Sequence, residues 1–237
     1  MIRFRNSLKS YSDPTFNKFI VEKVQSFSEN FQTHRILDSN NLKIIAAIGL
    51  LSESPRILDI GGSAGTHFFL AKTIYPQKNF EWRIIENETL VKETTKDEID
   101  SQLNYYSEFM SATENYAPDL IILSSTLQYL VEPLEKLKAL IALGSNYILV
   151  TKTPMSNETP KTVIQNSRWN ANGPGDYPQV SNRYKLRSTC NIVASEDFIK
   201  LISTHYEIIL SFHEGSFKFS RLKRSIPYRS YLLRLKH

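Results

Sequence analysis

The chain predicts an α/β fold with a mostly parallel sheet covered by helices on both faces. Two observations predict it. From Arg56 onward, short apolar strand signals alternate with helical periodicity, and parallel strands need such crossovers. At the end, two strand signals follow one another with no helix between them, which calls for an antiparallel hairpin.

The elements follow in chain order. Asp13 reads as an N-cap and Pro14 as the first helical position of a helix that puts Phe16, Phe19, Ile20, Val24 and Phe27 on one face. A second helix, NNLKIIAAIGLLSES, is stopped by Pro55. Residues 1–54 thus read as a helical segment packed on the core, and residues 55–237 as the α/β domain. RILDI (56–60) is a buried strand and GTHFFLAKTIY (65–75) a helix closed by Pro76. EWRIIE (81–86) is the second strand, with a polar helix around Leu90 to Ile99. LNYYSEF (103–109) is the third strand and PDLIILSS (118–125) the fourth. EPLEKLKALIAL (132–143) carries Leu134, Leu137, Leu140 and Ile141 at helical spacing, before a fifth strand at 146–154.

The rhythm then breaks. Residues 155–188 are rich in Asn, Gly, Pro and Ser, show no steady period, and read as a substrate loop. It leaves the carboxyl end of the fifth strand, where open α/β sheets bind ligands. A helix capped by Ser195, a strand at 206–212 and a last strand at 226–236 complete the chain.

Composition excludes several classes. With 237 residues, 41 % apolar and 22 % charged, the chain can bury a core and is not of a disordered type. Cys190 is the only cysteine, so neither an internal disulfide nor a thiolate zinc cluster can form, and no metal is expected. The first residues lack an apolar signal core, and the longest apolar run, Ile44 to Leu51, is too short to span a bilayer; the cytoplasm is the expected location. The net charge is +5, yet Gly215 onward holds seven Lys or Arg and no acid, so the rest is net acidic. Such a tail suits a peripheral membrane surface, nucleic acid, a phosphorylated substrate or simply a guarded sheet edge.

The loop after the first strand carries the chemistry. Glycines between a strand and a helix let a ligand approach the backbone, and the helix start offers unpaired N–H groups. Gly61 and Gly65 are four apart, whereas the dinucleotide fingerprint G-x-G-x-x-G needs five. The phosphate-loop pattern is absent as well.

ILDIGGSAG resembles the first motif of the class I S-adenosylmethionine-dependent methyltransferases, in which a strand ends in an acid and runs into G-x-G-x-G. The resemblance covers roughly Arg56 to Lys236 and implies a Rossmann-like seven-stranded sheet closed by a C-terminal hairpin. It places Asp59 at the acid, Gly61 and Gly65 at the outer glycines, Gly62 between, and Ser63 where the middle glycine is usual. It implies that Glu86, ending the second strand, accepts the cofactor's ribose hydroxyls; an acid there would equally suit the ribose of NAD. Glu108 takes the place of the acid that meets the adenine amino group. Ser124, Gln128 and Tyr129 would face the cofactor. More narrowly, GGSAGTHFF, LSSTLQYL, VTKTP and VIQN look like a little-characterised bacterial methyltransferase family of about 240 residues linked to surface polysaccharide synthesis.

The implied reaction is methyl transfer from S-adenosylmethionine to a small-molecule or sugar hydroxyl. His67, in the first turn after the loop, would bind the cofactor's carboxylate or act as base, with Tyr129 as a second proton acceptor. Lys152, Gln165, Asn166, Trp169 and Asn172 are candidate substrate contacts. The sequence lacks the D/N-P-P-Y/F and PCQ signatures, which argues against nucleic-acid acceptors. Two other readings remain at this stage: a nicotinamide-dependent sugar enzyme, and an inactive methyltransferase-like binding protein.

Overall fold

The computed structural model describes residues 11–34, 36–95, 100–158, 160–175, 184–217, 219 and 225–236. Lys218, Arg221, Lys223 and Arg224 of the basic tail lie outside them, as do the end of the expected polar helix and part of 155–188.

Helix α1 spans Pro14–His34. Asp13 caps it, its Oδ1 accepting from the Thr15 and Phe16 amides at 2.8 and 3.3 Å. Phe16, Phe19, Ile20 and Val24 are buried. Helix α2 (Ser39–Gly49) is capped by Asp38, which accepts from the Asn40 and Asn41 amides; such a cap stabilises by about 1 kcal/mol. Both helices pack on α3 (Thr66–Ile74), and α1 also meets α4 (Glu88–Thr94).

The sheet strands are β1 (Arg56–Ile60), β2 (Glu81–Ile85), β3 (Leu103–Tyr106), β4 (Leu120–Ser124) and β5 (Tyr147–Ser156). β3-β2-β1-β4-β5 are parallel neighbours. β9 (Ile226–Leu235) runs antiparallel beside β5, and β8 (Tyr206–Phe217) pairs with β9 alone. This is the expected parallel sheet with its C-terminal antiparallel hairpin. Leu58, Ile60, Ile121, Leu123, Ile148 and Val150 face one core, shared with α6 (Pro133–Ile141) and α7 (Ser195–Ser203). Ile57, Ile84, Leu120, Ile122 and Leu149 face the other, under α2 and α3. A short helix, α5 (Phe109–Thr113), follows β3 where the expected strand would have continued.

The segment 155–188 departs from the expected irregular loop. β5 continues to Ser156, and β6 (Lys161–Arg168) forms an antiparallel hairpin with β7 (Lys185–Ala194). β7 joins β5 in parallel at Met155 and Ser156. Among the described residues the sheet thus counts nine strands, the β6–β7 hairpin being added to the expected seven. The hairpin reaches α1: Trp169 stacks on Phe19 and Tyr184, and the ammonium of Lys23 donates to the Asn170 and Asn172 carbonyls.

Candidate active site

The carboxyl ends of β1, β2, β4 and β5 open onto a cavity of about 800 Å³, roofed by α1, α2 and the β6–β7 hairpin. That volume lies in the range of small-molecule sites.

The glycine loop forms one wall. Gly61, Ser63 and Gly65 all take left-handed backbone, with φ of 71°, 56° and 90°. A side chain is strained in that region, which explains the two glycines and marks Ser63 as the residue that bears a cost there. Gly61 also has no room: a Cβ would sit 2.5 Å from Thr126 Oγ1.

Glu86 lies directly against the loop in the cavity wall. One oxygen accepts from the Ser63 amide at 3.1 Å and the other from the Asn87 amide at 3.0 Å. Burial pushes its carboxyl up to about 7, against the amides that hold it down and with the nearby Asp59 charge adding to the rise. Asn87, which sequence reasoning passed over, caps α4 through Leu90 N–H. An Asn directly after a strand-end acid was the available signal.

Asp59 ends β1 beneath the loop, fully buried, and Oδ2 lies 2.8 Å from His67 Nδ1. His67 lines the cavity. A carboxylate accepts only, so Nδ1 carries the proton and Nε2 is left as an acceptor in the neutral ring.

The opposite end is aromatic and amide-rich. Tyr129 donates to Gln165 Oε1 at 2.8 Å, and its ring lies against Tyr11. Burial raises the Tyr129 phenol well above its ordinary value, which favours the protonated hydroxyl that donates to Gln165. Gln128 donates to the Lys152 carbonyl at 3.2 Å. Asn40 donates to Ser124 Oγ at 2.9 Å. The buried Gln128 Oε1 and Asn40 Oδ1 have no hydrogen-bond partner among the described residues.

The cavity wall thus gathers Gly61, Gly62, Ser63, His67, Glu86, Ser124, Gln128, Tyr129, Lys152, Gln165 and Asn166 from the sequence-stated candidates, together with Asn172. Four others lie off the wall. Asp59 acts beneath it on His67, and Gly65 turns the chain against Tyr105. Glu108 is exposed at the start of α5, because β3 ends at Tyr106 and turns the acid away. Trp169 is committed to its stack on α1. Asn17, Asn40, Asn41, Glu214 and Tyr228 join the wall without any sequence signal beyond residue type. Among the described residues no cluster of His, Cys, Asp or Glu is placed to hold a metal, and no helix is long and apolar enough to cross a membrane. Cys190 is buried and free.

No family model matches the chain, and no curated protein matches it in sequence. Solved structures share its fold. The N-terminal domain of EvdMO1 with S-adenosylhomocysteine bound superposes with a TM-score of 0.53 at 12 % identity, covering 86 % of this chain and 84 % of that one; the same domain is also known in the presence of D-fucose. A SAM-dependent methyltransferase from Methanosarcina mazei gives 0.51 at 10 % identity, over 80 % and 96 %. Human N-acetylserotonin methyltransferase in complex with SAM gives 0.50 at 16 % identity, over 92 % of this chain and 56 % of that one. At these identities the likeness is one of fold.

Proposed function

We propose that the protein is an S-adenosylmethionine-dependent methyltransferase that acts on a hydroxyl of a small molecule, with a sugar as the first acceptor to consider. The observation that carries this reading is Glu86, set at the end of β2 facing the cavity and tied to the glycine loop through the Ser63 amide. Oε1 can accept a further donor beside the Ser63 amide, and Oε2, which holds the Asn87 amide and the Asn87 Nδ2–H, can exchange that side-chain donor for a hydroxyl, which suits a pair of vicinal ribose hydroxyls. The unpartnered oxygens of Asn40 and Gln128 add acceptors for a donor-rich ligand. The neighbours with this fold include proteins solved with SAM or S-adenosylhomocysteine, and one studied with D-fucose. The stretches resembling a polysaccharide-linked family point the same way.

When bound, the sulfonium supplies an electrophilic methyl group, which the acceptor oxygen takes as the carbon–sulfur bond breaks toward sulfur, leaving S-adenosylhomocysteine. The protein's part is chiefly placement and proton removal. Gly61 to Gly65 and Glu86 would hold the nucleoside. His67 Nε2, its ring fixed by Asp59, would take the acceptor's proton. Tyr129, Gln165 and Asn166 would orient the acceptor, and the α1 and β6–β7 roof would exclude water.

Calorimetric titration of the full chain with S-adenosylmethionine and with NAD tests the reading. Micromolar binding of the former and none of the latter is expected. Absence of S-adenosylmethionine binding overturns it.

A further inference from the structure

We propose that the acceptor carries an anionic group, a carboxylate or a phosphate monoester, and that Lys152 binds it; this rests on the methyltransferase reading above. The starting observation is the backbone. Lys152 has φ of 47°, although it is not glycine, and it sits where the β5–β9 register shifts between Val150 and Thr153. A bulge of this kind bends the strand and re-aims a side chain, and a strained non-glycine residue there needs a compensating role.

The bulge is held from three sides. The Lys152 amide donates to Ser230 Oγ at 3.0 Å and to Glu214 Oε1 at 3.4 Å, and its carbonyl accepts from Gln128. Ser230 is fully buried. Lys152 is thereby set into the cavity wall.

The other inward lysines are committed to the protein. Lys23 donates to the Asn170 and Asn172 carbonyls, Lys78 to those of Leu51 and Ser52, and Lys43 pairs with Glu214 at 2.9 Å. Lys152 has no side-chain partner among the described residues. Its acidic neighbours are spoken for as well. Glu214 is neutralised by Lys43, and Asp38 is occupied with the α2 amides and Asn41. Glu86 belongs to the glycine-loop wall. Among the described residues, the β5 end of the cavity therefore offers one positive charge without a side-chain partner, Lys152, beside neutral hydrogen-bonding groups, Gln128 and Tyr228 among them. A hydroxylated ring bearing one acid group matches that set. A point-charge ammonium suits either a carboxylate or a phosphate.

The test is calorimetric titration of the full chain with D-glucuronate, D-glucose 1-phosphate and D-glucose, each with and without saturating S-adenosylhomocysteine. One of the two anions should bind at least tenfold more tightly than glucose, and which one does identifies the acid. Lys152→Met should bring it to the glucose level, and Lys152→Arg should retain most of the preference. Equal binding of glucose and both anions, binding of none, or an anion preference unchanged in Lys152→Met overturns the proposal. If Lys152→Met loses S-adenosylhomocysteine that the wild type binds, the lysine serves the cofactor and the proposal also fails. Failure of the wild type to bind S-adenosylhomocysteine would instead sink the methyltransferase reading, and the titrations without it still report on Lys152.

Discussion

Asp59 Oδ2 and His67 Nδ1 lie 2.8 Å apart across the base of the glycine loop. The two residues close the loop from below, one at the end of β1 and one in the first turn of α3. This contact fixes the tautomer that leaves Nε2 able to accept a proton. Imidazole nitrogen resonances of the full chain should show the neutral His67 ring with Nδ1 protonated and Nε2 bare, and Asp59→Asn should mix or reverse the two. Gly62→Ala should act similarly at a distance, since its Cβ would lie 2.5 Å from Asp59 Oδ2. An unchanged Nδ1–H signal in Asp59→Asn would remove Asp59 from this role. Once an acceptor is found, His67→Ala should lower kcat by about 100-fold or more, the usual worth of a general base.

Glu86 gives a pH dependence with opposite signs for binding and stability. Its carboxyl is raised to about 7 by burial, and the ionised form is the one that accepts two hydroxyls. S-adenosylhomocysteine should therefore bind about tenfold more weakly at pH 6 than at pH 8. For folding, a carboxyl whose folded-state value lies above its unfolded one contributes stability below the unfolded value and loses it as pH rises through the folded one. Glu86→Gln should thus raise Tm at pH 8 by a few degrees and hardly change it at pH 4, while flattening the pH dependence of binding. A Tm gain that is equal at both pH values would contradict the assignment.

Much of the scaffold is legible in the residues. RILDI is a strand because a short segment carrying Ile57, Leu58 and Ile60, flanked by Pro55 and Gly61, fits a strand buried on both faces. The same logic located β2, β4 and β5. The hairpin β6–β7 was hidden for a physical reason: the inward positions of β7 include Ser188 and Cys190 beside Leu186 and Ile192, so its alternation is blurred by small polar groups. Its partner lies across the turn-rich stretch after Trp169, beyond the reach of local pattern. Glu108 and Trp169 show the same limit for the site. Residue type made each a candidate, but the end of β3 at Tyr106 and the aromatic surface of α1 decided where they point.

Ser63 bears a backbone cost that glycine would relieve. At φ of 56° a side chain costs about 1 kcal/mol or more, so Ser63→Gly should raise Tm by about 2–4 °C. Binding of S-adenosylhomocysteine should be retained, because the contact to Glu86 uses the backbone amide. Ser63→Val should lower Tm. Differential scanning calorimetry decides, and a drop in Tm for Ser63→Gly would show that the hydroxyl outweighs the strain.

Trp169 ties the roof of the cavity to the N-terminal helix. Its ring lies 4.8 Å from that of Tyr184, 5.3 Å from Phe16 and 5.7 Å from Phe19. Such ring pairs contribute about 1 kcal/mol each. Trp169→Ala should therefore release the hairpin from α1 without touching the sheet core, where Ile57, Leu58 and Ile122 are fully buried. Hydrogen exchange should quicken by about tenfold or more in β6 and in the first half of α1, with β1 and β4 unchanged. A uniform loss of protection across the sheet would mean instead that Trp169 supports the whole fold. If the roof excludes water from the site, the variant should also bind S-adenosylhomocysteine more weakly, with the loss appearing as faster dissociation.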